Sequence, residues 1–314
     1  MNKNKKILTE LNRVEALIKK DFSKEETISG LYKYIFKSNG KKIRAKLCLI
    51  ASSKTNYKER IKLASVIELL HTATLIHDDV VDNSPTRRGI KSVNNLWTNS
   101  HGVLIGDYIY SKAFIYLVDI GNKKILKELA NTTNDIAQGE LIQLDAIKNI
   151  DINLKKLEKI SYFKTGRLFE AAARTGAIIS NENNTFISNI SECAKNLGIL
   201  FQITDDLLDY SDNKKIGKPV FQDIKEGKVT YPFFYAYKNA NIKQKKYLKE
   251  LLGVSRKIQR KDIELIKNLE GIKKTTLLAD KYHQRAIEYA KKIKNLDIRK
   301  EMIELANTAL NRDK

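Results

Sequence analysis

The sequence predicts an all-α protein, a bundle of roughly ten or more helices in one domain over residues 1–314. Three prolines in 314 residues and few glycine clusters leave room for long, uninterrupted helices. Apolar residues recur at helical spacing along most of the chain, whereas alternating patterns typical of strands are short. No linker rich in proline, glycine or serine divides the sequence, so one domain is the simpler interpretation.

The helical pattern is clear from the first residues onward. An amphipathic segment opens the chain, with apolar residues at Leu8, Leu11, Val14 and Ile18. A second segment precedes a cluster of aspartates, with apolar residues at Ile61, Leu63, Ala64, Ile67 and Leu70. Two irregular stretches, 83–100 and 210–228, interrupt the helices, and each directly follows an aspartate cluster. We therefore expect the chemistry of the protein to lie where these helices end.

Composition narrows the function classes. The net charge of +21 suits nucleic acid, an anionic membrane surface or a polyanionic substrate, and it also fits a bias towards lysine, asparagine and isoleucine. No nucleic-acid-binding signature is present, so we expect no nucleic-acid partner. No run of 18 apolar residues and no signal-peptide core occur, which predicts a cytoplasmic protein. Cys48 and Cys193 have no CxxC spacing, and we expect both in the core.

The first aspartate cluster lies in "LIHDDVVDNSPTRRG", residues 75–89. Residues three and four apart share a face of a helix, so one stripe contains His71, Thr74, Asp78 and Asp82. Asp79 points about 100° away from this stripe, and we expect it to support the others. His77 also lies off the stripe and is expected to be structural.

The second cluster, "FQITDDLLDY" at residues 201–210, repeats the pattern. Gln202, Asp205 and Asp209 share one face, and Asp206 points away from it. Neighbouring carboxylates repel each other, and a divalent cation relieves that repulsion. Oxygen ligands favour Mg²⁺, which completes its shell with phosphate oxygens. The basic residues that follow the two clusters are suitable phosphate partners, namely Arg87, Arg88, Lys218 and Lys228. The two clusters together predict metal-bridged diphosphate binding.

Two further segments carry weaker signals. "SNGKKIRAKL" supplies Lys41, Lys42 and Arg44 before an apolar run, which is typical either of an anion site or of a solvated turn. "YFKTGRLFEAAARTGA" carries Lys164 and Thr165 beside small residues, a pattern that by itself indicates close helix packing.

These motifs closely resemble the trans-isoprenyl diphosphate synthases, the polyprenyl synthetase family. The matching blocks run in the family's order from about residue 30 to 240: "GKKIR", "ELLHTATLIHDDVVDNSPTRRG", "VLIGDYIYSKAF", "GEL", "KTGRLFEAA", "LGILFQITDDLLDY" and "GKPVFQDIKEGKVTYP". The resemblance implies helices around a central cavity. It also implies a prenyltransferase that condenses isopentenyl diphosphate with an allylic diphosphate, using two or three Mg²⁺ ions bridged by the substrate.

The resemblance implies a role for each matching residue. Asp78, Asp82 and Asp205 match the metal ligands, and Asp209 lines the same cleft. The positions that match contacts to the allylic diphosphate are Arg87, Lys164, Thr165, Gln202, Lys218 and Lys228. The positions that match the isopentenyl diphosphate site are Lys41, Arg44, His71 and Arg88.

The chain departs from the family pattern in two places. The usual Gly-Gly-Lys-Arg reads Asn39-Gly40-Lys41-Lys42, and the usual proline after Arg44 is Ala45. The common Gly-Asp-Asp reads Phe221-Gln222-Asp223, so one acidic, water-mediated metal contact is expected to be missing.

Product length is expected to depend on the helix before Asp78. Short-chain members of the family commonly have a large aromatic residue here, but this chain has Ala73 and Thr74. Gly106 is a further small residue that could leave room for the product chain. We therefore expect a long product of around eight isoprene units, grown on farnesyl diphosphate. The resemblance implies a homodimer, with transient membrane-surface contact during product release. A shorter-chain synthase, a terpene cyclase and a non-catalytic or heteromeric subunit remain alternatives.

Overall fold

The computed structural model describes residues 3–20, 24–37, 40–211 and 221–311, with side chains from residue 6 onward. Its helices are α1 (Lys3–Lys20), α2 (Glu26–Ile35), α3 (Ile43–Ala51), α4 (Tyr57–Val81), α5 (Val93–Leu96), α6 (Asn99–Ile120), α7 (Lys123–Leu144), α8 (Leu154–Ser161), α9 (Arg167–Ile179), α10 (Asn184–Leu208), α11 (Gln222–Lys225), α12 (Tyr231–Asn239), α13 (Ile242–Leu251), α14 (Arg260–Asn268), α15 (Gly271–Lys291) and α16 (Leu296–Leu310). The all-α prediction is confirmed. Of the described helices, none is both long enough and apolar enough to cross a membrane.

The chain forms two compact units. The first contains residues 1–133 and 171–191, and the second contains 134–170 and 192–314. Each unit carries one aspartate cluster, at the C-terminal end of a 25-residue helix. The single-domain interpretation of residues 1–314 stays a prediction.

The core of the first unit forms around α4, which packs mainly on α6 and also on α3 and α1. The side chain of Asn56 begins α4 by accepting a hydrogen bond from the amide of Glu59. Leu63, Ile67 and Leu70 are fully buried, as the helical spacing predicts. Cys48 is also fully buried here, and Cys193 is fully buried in the second unit, so the core prediction for both is confirmed.

The second unit forms around α12 and α15, which pack on each other and on α14, and α15 also packs on α16. Tyr231 and Phe233 of α12 are fully buried, and the Tyr231 hydroxyl lies 2.9 Å from that of Ser161. A Cβ at Gly198 of α10 would lie 2.7 Å from the Cα of Gly166, so glycine is required for this close approach. That approach brings the second aspartate helix against residues 162–166.

Two local structures were not predicted from the sequence. Residues Tyr162–Gly166 form a π-helical turn between α8 and α9. The irregular stretch 83–100 contains a hairpin of β1 (Thr86–Arg87) and β2 (Ile90–Lys91), the one sheet among the residues described. Arg88 and Gly89 form its turn with φ angles of 52° and 79°, as two-residue hairpin turns require.

Candidate active site

The first aspartate cluster lies where α4 ends. Asp78 and Asp82 are half-buried, and Asp82 is the C-cap residue of the helix. Asp79 is only 5% exposed, and it accepts hydrogen bonds from Nε (2.8 Å) and Nη2 of Arg87. Burial raises the pKa of Asp79, and the Arg87 guanidinium opposes that shift. Asp79 thus holds the hairpin, and Arg87 within it, against the end of α4.

A basic cluster lies beside the middle of the same helix, where His71 of α4 meets Arg44 of α3. The Nη1 atom of Arg44 lies 2.9 Å from Nε2 of His71. Burial lowers the pKa of His71 well below its usual value, and the nearby arginines, first Arg44 and then Arg88, lower it further. His71 is therefore neutral at pH 7, and its Nε2 accepts the hydrogen bond that Arg44 donates.

Gly40 provides the space that Arg88 occupies. A Cβ at Gly40 would lie 2.7 Å from both terminal nitrogens of the Arg88 guanidinium. The guanidinium therefore lies directly against the backbone of the segment before α3. This contact, with the Arg44–His71 hydrogen bond, brings three of the four residues expected to bind isopentenyl diphosphate around one segment. The fourth, Lys41, belongs to that segment, and its side chain is exposed, as is that of Arg88.

A buried acid, Glu68, stabilises the start of α3. Its Oε1 accepts a hydrogen bond of 3.2 Å from the amide of Ala45. The family's usual proline at this position would have no such N–H to donate. Burial raises the pKa of Glu68, and Arg44, Lys42 and Arg88 oppose that shift. Lys42 has a left-handed backbone (φ 47°) and forms a 2.6 Å ion pair with Glu15 of α1.

In the second unit, the π-helical turn carries Lys164 and Thr165. The Nζ atom of Lys164 donates to Glu140 Oε2 and Gln143 Oε1, each at 2.9 Å. Thr165 donates to Gln202 Oε1 at 2.6 Å. π-Helical turns are rare and often occur at functional sites, because they change the direction of neighbouring side chains.

A hydrogen-bond chain continues from Thr165 into the second aspartate cluster. Gln202 Nε2 donates to Asp206 Oδ1 at 2.8 Å, and Asp206 Oδ2 accepts from the amide of Tyr231 at 3.4 Å. Burial raises the pKa of Asp206 and of Asp209, and the neighbouring carboxylates, including Asp205, raise both further. These acids carry the mutual repulsion that the sequence pattern predicted.

Asp209 anchors the segment that follows α10. Its Oδ1 and Oδ2 accept hydrogen bonds from the amides of Gln222 (3.0 Å) and Asp223 (3.2 Å). Lys228, at the other end of this segment, forms a 2.8 Å ion pair with Glu226, and its amide donates to the carbonyl of Asp223 at 2.8 Å. Lys218, a predicted diphosphate contact, lies outside the described residues.

The donor set fits Mg²⁺ completed by a phosphate ligand. In the described part of the chain, no three His, Cys, Asp or Glu side chains are placed to hold a metal ion by themselves. Each cluster does supply two carboxylates one helical turn apart, Asp78 with Asp82 and Asp205 with Asp209. Mg²⁺ typically binds one or two protein carboxylates and takes its other ligands from water and substrate phosphate.

The two places expected to leave room for a long product chain, at Ala73 with Thr74 and at Gly106, differ in the structure. Ala73 is fully buried, and the hydroxyl of Thr74 donates to the carbonyl of His71 at 2.9 Å. The space beside Gly106 is filled by the imidazole of His77, since a Cβ there would lie 2.2 Å from its Nε2. His77 also makes a 3.2 Å contact to the carbonyl of Val103. Gly106 therefore accommodates His77.

Three polar residues were not singled out from the sequence: Glu68, Glu140 and Gln143. Glu68 lies three residues before His71 in an otherwise apolar run, and a charged residue at a core position is a signal that could have identified it. Glu140 lies in the "GEL" block that resembles the family, but that resemblance implied no role for it. Nothing in the local pattern marks Gln143.

Comparison with known proteins supports one family. The model of the polyprenyl synthetase family matches residues 25–270. Octaprenyl diphosphate synthase of Escherichia coli (strain K12) is 33% identical over 304 residues, which are 95% of this chain and 94% of that protein. All-trans-nonaprenyl-diphosphate synthase (geranyl-diphosphate specific) of Rhodobacter capsulatus is 34% identical, over 92% of this chain and 90% of that protein.

Solved structures give the same result. Decaprenyl diphosphate synthase from Rhodobacter capsulatus superposes with a TM-score of 0.91 at 31% identity, covering 99% of this chain and 98% of that one. Polyprenyl synthase from Caulobacter crescentus CB15, complexed with calcium and isoprenyl diphosphate, gives a TM-score of 0.92 at 29% identity, covering 98% and 95%.

Proposed function

This chain belongs to the polyprenyl synthetase family, and from that premise we propose that it is a long-chain trans-polyprenyl diphosphate synthase. It is a prenyltransferase that adds isopentenyl diphosphate units head-to-tail to an allylic diphosphate. The observation that carries the proposal is the retention of both aspartate clusters, each with basic residues close by, in a chain similar to synthases of octaprenyl, nonaprenyl and decaprenyl diphosphate.

The allylic diphosphate binds the acidic helix ends. By resemblance to the family, Asp78 and Asp82 would hold Mg²⁺ at the end of α4, and Asp205 would do so at the end of α10. Arg87 near the first cluster, and Lys164 and Lys228 near the second, would contact phosphate oxygens. When bound, Mg²⁺ neutralises the diphosphate and so makes it a better leaving group. Glu140 and Gln143 fix the position of the Lys164 ammonium before substrate arrives, and Asp79 does the same for Arg87.

Isopentenyl diphosphate binds the basic cluster of the first unit. Lys41, Arg44 and Arg88 pair with its phosphate oxygens, Arg through a two-pronged guanidinium. Because His71 is neutral, it contributes a hydrogen bond rather than another positive charge. Glu68 secures the amide of Ala45, one residue after Arg44, and so holds this arginine in place.

The reaction needs no protein nucleophile. The bond between C1 of the allylic substrate and oxygen breaks, and its electron pair leaves with the diphosphate. The terminal alkene carbon of isopentenyl diphosphate then attacks C1, which leaves a cation on its neighbouring carbon, and transfer of a proton from C2 of that unit to the departing diphosphate restores a double bond. Lys164, Arg87 and Lys228 stabilise the charge that develops on the leaving diphosphate, which is electrostatic catalysis.

Product length follows from the small residue at position 73. Once its diphosphate is held at Asp78, the growing chain runs back along α4, and Ala73 lies about 7.5 Å along the axis at 1.5 Å per residue. An alanine at this position favours an octaprenyl-type product. A shorter product of farnesyl or geranylgeranyl size is the alternative.

The active unit is a homodimer that forms through α6. Leu104, Ile115 and Val118 lie along one side of this helix and are 67%, 55% and 68% exposed. Exposed apolar residues that share a helix face are typical of a protein interface. Replacing Ile115 and Val118 with serine should shift the protein from dimer to monomer in sedimentation experiments.

The test is to incubate the purified protein with labelled isopentenyl diphosphate, Mg²⁺ and either geranyl or farnesyl diphosphate. We expect products of around eight isoprene units on reversed-phase chromatography, with farnesyl diphosphate as the better primer. Cyclic hydrocarbons formed without isopentenyl diphosphate would identify a terpene cyclase. No product without a second chain would identify a heteromeric subunit.

A further inference from the structure

Residues 241–261 carry a large share of the positive charge of the protein. This stretch has eight lysines and arginines and one glutamate, a net of +7 out of +21 for the whole chain. It therefore holds a third of the net charge in about one fifteenth of the sequence. None of these residues has a role in the proposed reaction.

Three of the four cations of α13 share one exposed side of the helix. Lys243, Lys246 and Lys249 follow each other at intervals of three residues and are exposed, whereas Leu248 and Leu251 are buried on the opposite side. Lys261 of α14 and Lys243 line the same shallow hollow, so the basic surface continues from one helix to the next. We call Lys243, Lys246, Lys249 and Lys261 the basic surface.

The two helices that carry the basic surface are held together by a buried acid. Asp262 of α14 is fully buried, and Arg256 Nη1 donates to it at 2.8 Å. The hydroxyl of Tyr247, on α13, donates to the same carboxylate. Through Asp262, α13 and the loop before α14 have fixed positions, so the lysines form a surface before any partner arrives.

An apolar residue lies at the edge of this surface. Ile242 is the first residue of α13 and is 88% exposed, the highest exposure among the large apolar side chains described. Lysines around an exposed apolar side chain suit a bilayer, where the cations meet anionic headgroups and the apolar group enters the interface. Nucleic acid is less favoured, because Tyr247 is the one aromatic side chain within 241–261 that could stack on a base, and it is half-buried with its hydroxyl held by Asp262.

We propose that the basic surface, with Ile242, docks the protein on an anionic lipid bilayer. The choice of a bilayer over other polyanions rests on the proposed function, because a long polyprenyl chain is insoluble in water and must pass into a membrane. Docking would keep the enzyme beside the phase that takes up its product. The binding itself involves no substrate and no residue of the proposed active site.

The experiment measures partitioning of the full-length protein onto sedimentable vesicles without substrate. Vesicles contain either phosphatidylcholine alone or an equal mixture with anionic phosphatidylglycerol, at about 0.1 M salt. The test variant combines Lys243→Gln, Lys246→Gln and Lys261→Gln. The control combines Lys123→Gln, Lys124→Gln and Lys127→Gln, three exposed lysines of α7 that remove the same charge elsewhere.

We expect wild-type protein to partition onto the anionic vesicles only. A lysine near an anionic surface contributes about 1 kcal/mol, so the test variant should bind about a hundredfold more weakly, whereas the control should stay within about threefold of wild type. Equal losses in both variants would show that net charge alone drives binding and would overturn the proposal. So would binding of the anionic vesicles by the test variant as strong as that of wild type.

Because the assay uses no substrate, its outcome is separate from that of the product assay. A protein that docks but makes no polyprenyl diphosphate would contradict the proposed function and leave the docking surface in place. A protein that makes long products but does not bind the anionic vesicles would support the proposed function and contradict the docking surface. Every substituted lysine is exposed, so both variants should keep the thermal unfolding temperature of wild type within a few degrees.

Discussion

Replacing Gly40 with alanine should weaken isopentenyl diphosphate binding without unfolding the protein. The new Cβ would lie 2.7 Å from Nη1 and Nη2 of Arg88, whereas ordinary contacts begin near 3.4 Å. The guanidinium must therefore withdraw by about 0.7 Å, which is far enough to disturb a charged hydrogen bond to phosphate. Such a bond contributes about 1.5–3 kcal/mol, so we expect KM for isopentenyl diphosphate to rise about tenfold or more.

Stability should change little, because the displaced group is the end of a flexible side chain. The matched control is Gly30→Ala on α2, where a Cβ would meet nothing within 4 Å. That substitution should stabilise the helix by about 1 kcal/mol and leave KM unchanged. The assay is steady-state turnover with isopentenyl diphosphate varied at saturating allylic substrate, together with thermal unfolding.

A double-mutant cycle with Arg88→Ala tests the mechanism. If Gly40→Ala acts by displacing Arg88, it should have no further effect once that guanidinium is gone. A rise in KM that persists in the Arg88→Ala background would mean that the substitution acts through the backbone before α3. An unchanged KM in folded Gly40→Ala, with a raised KM in Arg88→Ala, would refute the idea that Gly40 positions this arginine.

Three other outcomes are expected. Asp78→Ala and Asp205→Ala should each lower turnover at least about a hundredfold, since each removes a charge that acts on the leaving diphosphate, and chelation should abolish activity until Mg²⁺ is restored. Ala73→Phe should shorten the main product towards farnesyl or geranylgeranyl diphosphate, by chromatography, while the first condensation continues. Burial raises the pKa of Asp262, but hydrogen bonds from Arg256 and Tyr247 outweigh this and lower the folded pKa to about 2, below its unfolded value. Asp262 should therefore stabilise the fold above about pH 4 and lose that contribution between pH 4 and 2.

Each of these outcomes has a result that would contradict it. Full activity in excess EDTA would exclude the metal-bridged mechanism. An unchanged long product from folded Ala73→Phe would place the product chain elsewhere. For Asp262, urea unfolding should show that Asp262→Asn is about 1 kcal/mol less stable than wild type near pH 6, a figure that allows for the exposure of Arg256. If this difference in the free energy of unfolding stays constant down to pH 2, the assignment is refuted.

Helical periodicity predicted the long helices well, because the apolar residues that recur at helical spacing are the ones that are buried in the core. Apolar residues of α4 such as Leu63 and Leu70 recur where the helix packs, and the same spacing placed Asp78 and Asp82 on one stripe. Family motifs identified His71 and Arg44 as parts of one site, and the structure brings their side chains within 2.9 Å.

The remaining features depend on information that a local pattern does not carry. Strands of two residues are too short for alternation to show, so the hairpin that presents Arg87 was missed, although Arg88-Gly89 suits its turn. A π-helical turn uses the same residue types as an α-helix, so the sequence around Lys164 does not predict it. The hydrogen bonds between the Asp209 carboxylate and the amides of Gln222 and Asp223 span 13 and 14 residues. They depend on the path by which the chain comes back to the end of α10.

The backbone conformation at Phe221 limits which residues can replace this phenylalanine. Phe221 has φ 62° and ψ 30°, a left-handed conformation that disfavours an aromatic residue by about 1–2 kcal/mol relative to glycine, which the family commonly has at this position. The phenylalanine compensates in part, because its ring makes an edge contact with Tyr210. Replacement by glycine should therefore be tolerated in evolution and in directed mutagenesis, whereas a β-branched residue at 221 should be selected against.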